Sequence, residues 1–460
     1  MTKNGTIPGG QNLPNNGVVY LQPDPTLRSV PKTTDIALPQ INGGYQSTSY
    51  PTGGHYQKGL LTDEPAGFNA YFLTDTPTLS SQTKNAYFAV RGSDGGFDIG
   101  DQSNWNDWID NNLPFTIKDA NVPQAKLATD AMKAKFDEMR QKAPQAKMNF
   151  TGHSLGTFVT AQGLAGLDPK YWDQIGNVVL FNGPDPTKSL QKMGLSDAQI
   201  KQLGSHVTYY LNPLDVVSML NREVPVSQQF GKVHFIVPLD ITDSFTGNGS
   251  AHMFGQFQFD KDGNPKIASS TYHPYLLEAG EKIAKLLAEA KKNKLRAVRD
   301  WKELQGEYDE IIAWARSEAI KWNKQAIPDY QSKIRGASES DKVSLRMDLL
   351  QAVAQLMVLE VGDQLTAIEE AVAQSKTDTK NAVTAAETQA RKVGHRLPYW
   401  EIENLLVGYS FNDIWSSSKE DAVLKTVKTY REKVNTIAEK LLQSARNFED
   451  IDSKGVELFS

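Results

Sequence analysis

Gly152-His153-Ser154-Leu155-Gly156 places a serine between two glycines in the pattern G-x-S-x-G. A serine at a tight strand-to-helix turn projects its hydroxyl alone from the end of a sheet, where it can attack a carbonyl carbon. The flanks fit that geometry. Lys147 to Thr151 alternates apolar and polar residues as a strand does, and Phe158, Val159, Ala161 and Leu164 suit a helix packed on a sheet. Gly152 and Gly156 leave room where strand and helix pass closely. The bland alternative is an ordinary glycine-rich turn between a strand and a helix.

A serine hydroxyl is a weak nucleophile at neutral pH, so it needs a histidine to take its proton and a carboxylate to orient that histidine. In the chain order Ser, acid, His, the acid is Asp215, which follows the strand-like His206 to Leu211 through the loop Asn212-Pro213-Leu214. The plain alternative for Asp215 is the N-cap of a helix starting at Val216, and Asp240 is the rival acid. For the base the choice is His252, in GNGSAHMFGQFQFD after a Gly/Asn/Ser loop, with His273 second. His206 and His234 lie in strand-like segments and read as structural, His395 lies far along the chain, and His153 supports the elbow.

The oxyanion of an acyl-transfer intermediate needs donors. The backbone N–H of Leu155 supplies one from the elbow itself. Ser93 supplies the other, from Arg91-Gly92-Ser93-Asp94-Gly95-Gly96 at the end of the strand-like NAYFAVR; a simple glycine turn is the alternative. No ligand cluster for a metal stands out, and no cofactor is implied.

These residues need a sheet to hold them, and the chain has the length for one. Of its 460 residues 39% are hydrophobic and 22% charged, with 49 Lys and Arg against 54 Asp and Glu. A net charge of -5 gives no reason to expect a nucleic-acid partner. The absence of cysteine excludes disulfides, thiolate metal sites and a cysteine nucleophile. The polar N-terminus lacks the apolar core of a secretory signal, and no run is long enough to span a membrane.

Up to about residue 270, strand-like segments (85 to 91, 177 to 181, 206 to 211, 232 to 238) alternate with helix-like ones such as Pro123 to Lys142. That alternation predicts a three-layer α/β/α domain. Beyond it Ala, Glu, Lys, Gln and Leu dominate, and long helices are expected from Pro274 to Trp322, Asp341 to Val393 and Ser418 to Phe448. In the last, Val423, Val427, Tyr430, Val434, Ile437, Leu441 and Phe448 form an apolar stripe that needs a partner. The expected division is a flexible segment over 1–44, the catalytic domain over 45–275 and an elongated all-α domain over 276–460.

AVRGSDGG, SNWNDWIDN, TGHSLG, NPLDVV and a late histidine together resemble the class 3 lipase group of α/β-hydrolases. The resemblance implies a triad of Ser154, Asp215 and His252, and gives Ser93 the oxyanion role. HMFGQFQFDKDG is similar to the closing motif of bacterial lipase-like domains. A lipase-like half followed by a long helical half, without cysteine or signal peptide, further resembles a lipase toxin of the Gram-positive type VII secretion system with reversed domain order.

That second resemblance implies a leaderless, secreted phospholipase acting on membrane phospholipid of a target cell. Its C-terminal LXG-like domain would bind small helical WXG-like partners and engage the type VII machinery, and a cognate immunity protein would protect the producer. Phe448 and Asp452 fit the F-x-x-x-D export motif, although Phe97 and Asp101 satisfy it too, and a packed Phe beside a solvated Asp is the plain alternative. Two further alternatives stand: an intracellular carboxylesterase with a helical oligomerisation domain, and a non-catalytic lipid-binding pseudoenzyme.

Overall fold

A computed structural model describes residues 11–12, 18–39, 45–92, 122–241, 251–260, 263–292 and 298–459. The chain divides into two compact units, Met1–Ala315 and Arg316–Ser460. The boundary falls well beyond the expected change near residue 275, inside a continuous helix.

The first unit is built on a mixed sheet. Its strands are β1 (Gln11–Asn12), β2 (Val18–Leu21), β3 (Arg28–Pro39), β4 (Tyr45–Lys58), β5 (Thr62–Asp63), β6 (Phe68–Thr74), β7 (Asn85–Val90), β8 (Lys147–His153), β9 (Ile175–Phe181), β10 (Val207–Leu211) and β11 (Lys232–Phe235). From β7 to β11 the strands lie parallel and in chain order. β6 pairs antiparallel with β7 and turns the sheet over to the antiparallel set β5, β4 and β3. Within the segment 1–44, expected to be flexible, the described residues include β2 and β3. β2 pairs with β6, the Gln22 amide donates to Thr74 Oγ1 at 2.7 Å, and Asp24 accepts from Leu61 N at 2.9 Å.

Parallel neighbours need crossovers, and helices supply them. α1 (Gln124–Lys142) joins β7 to β8, α2 (Leu155–Ala165) joins β8 to β9, and α3 (Thr187–Lys192) with α4 (Asp197–Gly204) joins β9 to β10. α5 (Val216–Met219) follows β10, and α6 (Pro274–Lys292) packs on α5 and β11. Burial alternates along β7, β8 and β10, as expected of strands whose faces differ. Phe88 and Phe150 meet with ring centroids 5.9 Å apart, and Phe136 of α1 covers Phe150 at 6.0 Å. α2 is buried from Gly156 to Ala165, so it is a core helix with no solvent face.

The expected helix from Pro274 to Trp322 is two helices, α6 and α7 (Val298–Gly336). In the second unit, the later part of α7 runs antiparallel to the start of α8 (Glu339–Val393): Arg316 reaches Asp363 and Lys324 reaches Glu360. The end of α8 runs antiparallel to α11 (Ser417–Phe459), with Glu369 paired to Arg431 and Lys376 to Glu420. Two short helices, α9 (Tyr399–Leu406) and α10 (Phe411–Ile414), fill the turn between them. The expected stripe on α11 is split. Val427 is buried, whereas Val423, Tyr430 and Ile437, spaced seven apart, are 40%, 58% and 50% exposed. Among the described residues no helix is long and apolar enough to cross a membrane.

Candidate active site

The parallel register aligns the carboxyl ends of β7 to β11 along one edge. Val90 faces Gly152, His153 faces Phe181, Phe181 faces Tyr210, and Leu211 faces Phe235. In open α/β sheets this is the edge where ligands and catalytic groups gather.

Ser154 leaves β8 here and opens α2. Its backbone is left-handed, with φ 58° and ψ -131°. A non-glycine residue persists in such a conformation only where its surroundings impose it. Glycine on either side does so. A Cβ on Gly152 would stand 2.6 Å from the Gly156 carbonyl oxygen, and one on Gly156 would stand 2.5 Å from the Val90 oxygen. Serine at a helix N-cap usually turns its hydroxyl back onto the first-turn N–H groups. Ser154 does not, and its side chain makes no cap hydrogen bond. Leu155 is the first residue of α2, so its N–H has no acceptor within the helix.

The loop after β7 comes close to the serine. A Cβ on Gly92 would lie 3.2 Å from Ser154 Cβ and 2.9 Å from the His153 oxygen, so only glycine allows this approach. Ser93 lies outside the described residues, as do Phe97 and Asp101.

Asp215 and His252 meet directly, with His252 Nδ1 2.8 Å from Asp215 Oδ2. Both are buried, Asp215 completely. A carboxylate only accepts, so Nδ1 carries the proton and Nε2 keeps its lone pair when the ring is neutral. Asp215 is at the same time the N-cap of α5, with Oδ1 3.1 Å from Val217 N and Oδ2 3.0 Å from Ser218 N. The two readings of Asp215 are thus one arrangement, in which the cap holds the carboxylate that holds the imidazole. Burial alone would push the Asp215 pKa up. The positive charge and hydrogen bond of His252, with the Ser218 and Val217 donors, outweigh it and hold the group below its ordinary value.

His252 follows residues 242–250, which lie outside the described residues, and its main chain is fastened by side chains from three strand ends. Its carbonyl oxygen lies 3.0 Å from His153 Nε2 and accepts from Asn182 Nδ2, also at 3.0 Å. Asn212 Nδ2 donates to the preceding carbonyl, Ala251 O, at 2.8 Å. The same two asparagines link onward: Asn182 Oδ1 accepts from Asn212 N, and Asn212 Oδ1 accepts from Leu214 N beside the acid. Asn182 has a left-handed φ of 48° and is fully buried. Neither asparagine stands out in the sequence reading. The signal for them was a repeated pattern, an apolar strand ending in Asn-Gly at Phe181 and in Asn-Pro at Leu211.

His153 packs on His252 with ring centroids 4.9 Å apart. Burial, then the neighbouring His252, lowers its pKa to about 4, so at neutral pH it is an uncharged donor. Four other histidines have separate partners. His206 Nδ1 lies 3.2 Å from Gly176 O, His234 stacks on Tyr210, and His395 Nδ1 lies 3.2 Å from Lys392 O. His273 Nδ1 lies 3.1 Å from the Tyr275 hydroxyl, and its pKa is lowered to about 3 by burial and by Lys266. The N–H of Asp240 donates to Gln256 Oε1.

An apolar rim follows the imidazole. Phe254 stacks on Phe257 and meets Phe181 edge-on, with ring centroids 4.9 Å and 5.2 Å away. Met253, Phe254 and Phe259 remain exposed. Phe448 and Asp452 fall within α11.

The cutinase family model matches residues 109–232, a stretch that carries Ser154 and Asp215 and ends before His252. No curated protein matches the chain, and no solved structure does. With the strand-to-helix elbow and the parallel strands around it, the match supports an α/β-hydrolase of the lipase and esterase kind in the first unit.

Proposed function

We propose that the protein hydrolyses carboxylic acyl esters of membrane glycerophospholipids, with Ser154 as nucleophile, His252 as general base and Asp215 as its orienting acid. The observation that carries this reading is the conformation of Ser154, a left-handed serine at the end of a central parallel strand with its hydroxyl withheld from the helix it caps. Ser154 Oγ attacks the carbonyl carbon while its proton passes to His252 Nε2, and the charge on the imidazolium is balanced by Asp215. The Leu155 N–H and Ser93 stabilise the oxyanion. Collapse expels the alcohol, which takes the proton from His252. Water then repeats the sequence on the acyl-enzyme and releases the fatty acid.

Lipid is favoured over a small polar ester by the exposed Met253, Phe254 and Phe259 beside the base. Liposomes of defined phospholipid, incubated with the wild type and with Ser154→Ala, test this reading when the products are weighed by mass spectrometry. Fatty acid and lysophospholipid are expected from the wild type alone, and equal release by both proteins would end it.

The helical unit supports the second part of the proposal, secretion as a toxin through a type VII system. Val423, Tyr430 and Ile437 leave a heptad-spaced apolar line exposed on α11, a surface suited to small WXG-like helical partners. Phe448 and Asp452 on the same helix would serve export, and an immunity protein would guard the producer. Phe448→Ala should stop secretion and leave hydrolysis by the purified protein intact; secretion unchanged by the substitution would remove the export role.

A further inference from the structure

Behind the acid lies a chain of buried polar groups that the hydrolytic steps do not use. Ser218, fully buried on α5, donates its hydroxyl to Asp215 Oδ2 at 2.5 Å, in addition to its N–H at 3.0 Å. That oxygen is the one that receives His252 Nδ1. Three donors therefore converge on Oδ2, whereas Oδ1 receives Val217 N. A carboxylate oxygen offers about two lone-pair sites, so the Ser218 hydroxyl and the imidazole compete for the same electron density.

Ser218 is itself held from behind. Arg222 Nε donates to Ser218 O at 2.8 Å, and Nη2 donates to Gly183 O at 2.9 Å. Its Nη1 lies 3.6 Å from Asp185 Oδ2, an ion pair with both side chains almost wholly buried. Asp185 is fixed in turn by Thr187 N and Phe230 N. Leaving a buried guanidinium or carboxylate unpaired is costly, so this pair defines one arrangement of the turn beneath the acid.

We propose that Ser218 is a positioning residue for the Asp215–His252 pair. Its hydroxyl weakens the hold of Asp215 on the proton shared with His252, and Arg222, anchored by Asp185, fixes the turn from which it acts. The inference rests on the reading of Ser154, His252 and Asp215 as a hydrolytic triad.

Among the described residues, the charged and titratable groups around the pair include His153 against the His252 ring, Arg222 and Asp185 behind Ser218, Tyr209 beneath Arg222, and Tyr308, whose hydroxyl donates to Leu214 O. His153 titrates near pH 4, below the working range of a general base. Tyr209 is raised by burial and stays neutral there. Neither adds a limb to a pH profile near neutrality.

Removing the hydroxyl leaves Asp215 a stronger acceptor, so the pair holds its proton more tightly and the base is freed only at higher pH. For Ser218→Ala the acid limb of the kcat/KM profile should move up by roughly half a unit to one unit. At a pH well below the limb, kcat/KM should fall about 3- to 10-fold, while above the limb it stays near the wild-type value. Ser218→Thr keeps the hydroxyl and should restore the limb. Should the alanine variant fail to fold, Ser218→Cys, with a weak thiol donor, carries the same expectation as alanine. A rate change of equal size at every pH, or a profile that superimposes on the wild type, would mean a structural hydrogen bond only and would overturn the proposal. Absence of any Ser154-dependent hydrolysis in the wild type would overturn the triad and this proposal together.

Discussion

Asp215 holds His252 through the same carboxylate that caps α5: Oδ2 lies 2.8 Å from the imidazole Nδ1 and 3.0 Å from the Ser218 N–H. The acid is therefore aimed by a helix N-terminus and does not depend on its own rotamer freedom. Substitution at this position separates two effects. Asp215→Asn retains an oxygen for the cap, but its amide N–H₂ facing the imidazole favours the wrong tautomer. Activity should fall roughly ten-thousand-fold, with the unfolding midpoint falling less than in Asp215→Ala, because the Val217 half of the cap is kept and the Ser218 half is lost. Asp215→Ala should also lose about 1 kcal/mol from the missing cap. Steady-state kinetics and urea unfolding of both variants check this; an Asn variant with near wild-type kcat contradicts it.

The main chain of His252 is placed by Asn182, whose amide joins the His252 carbonyl to the Asn212 N–H. Asn182→Asp keeps the acceptor and loses the donor, while adding a charge beside a carbonyl. A shift of about 1 Å in a catalytic group costs on the order of 100-fold. The expected outcome is a fall of that size in kcat with KM close to wild type. A change confined to thermal stability, with kcat intact in the folded protein, would show that the clamp is not needed for catalysis.

Gly156 is packed so that a Cβ would meet the Val90 oxygen at 2.5 Å and the Arg91 oxygen at 3.0 Å. Neither neighbour is a flexible side-chain end. Gly156→Ala must push α2 away from β7, at a cost of about 1–3 kcal/mol as for other overpacked sites. Because the elbow moves with the helix, labelling of Ser154 by a fluorophosphonate should slow as well. Unfolding curves and labelling rates measured on one preparation test both halves.

Acid should destabilise the first unit earlier than its carboxylates alone would. His153 and His273 are held neutral in the folded state, with pKa values lowered to about 4 and about 3 by burial. In the unfolded chain both take up protons near pH 6.5. The unfolded state then binds more protons than the folded one, so stability falls as pH drops below about 6.5 and continues to fall toward 4. Asp215, lowered in the folded state, adds a further loss only below the ordinary carboxylate range. Between pH 7 and pH 5 the two histidines together should remove roughly 3 kcal/mol, the part-exposed His153 giving less than its shift implies. Urea unfolding at the two pH values measures this, and His273→Asn should flatten the dependence.

Much of the site was legible because strand ends announce themselves. Gly-x-Ser-x-Gly after an alternating strand, and Asp215 after a second strand, sit on the same edge once the strands are parallel. Several histidines follow Asp215 in the chain, and the Gly/Asn/Ser stretch before His252 is what favoured it over His273. The asparagines were not legible one at a time: Asn182 and Asn212 matter because β9 and β10 are neighbours, a fact of pairing that local patterns do not carry. The hairpin of β3 and β4 was missed for another reason. Its strands are rich in Thr, Ser, Tyr and Gln and lack the apolar alternation that marks a half-buried strand. On α11 the periodicity correctly marks an apolar face, but it does not say which of its residues α8 covers. Val427 is buried and Tyr430, one turn on, is not.

The most direct test is covalent. A fluorophosphonate ester incubated with the intact protein should label one residue, and peptide mass spectrometry should place the label on Ser154. Ser154→Ala should take no label and release no fatty acid from phospholipid vesicles, while His252→Ala should label several orders of magnitude more slowly. A label on a different serine, or vesicle hydrolysis that survives Ser154→Ala, would contradict the account.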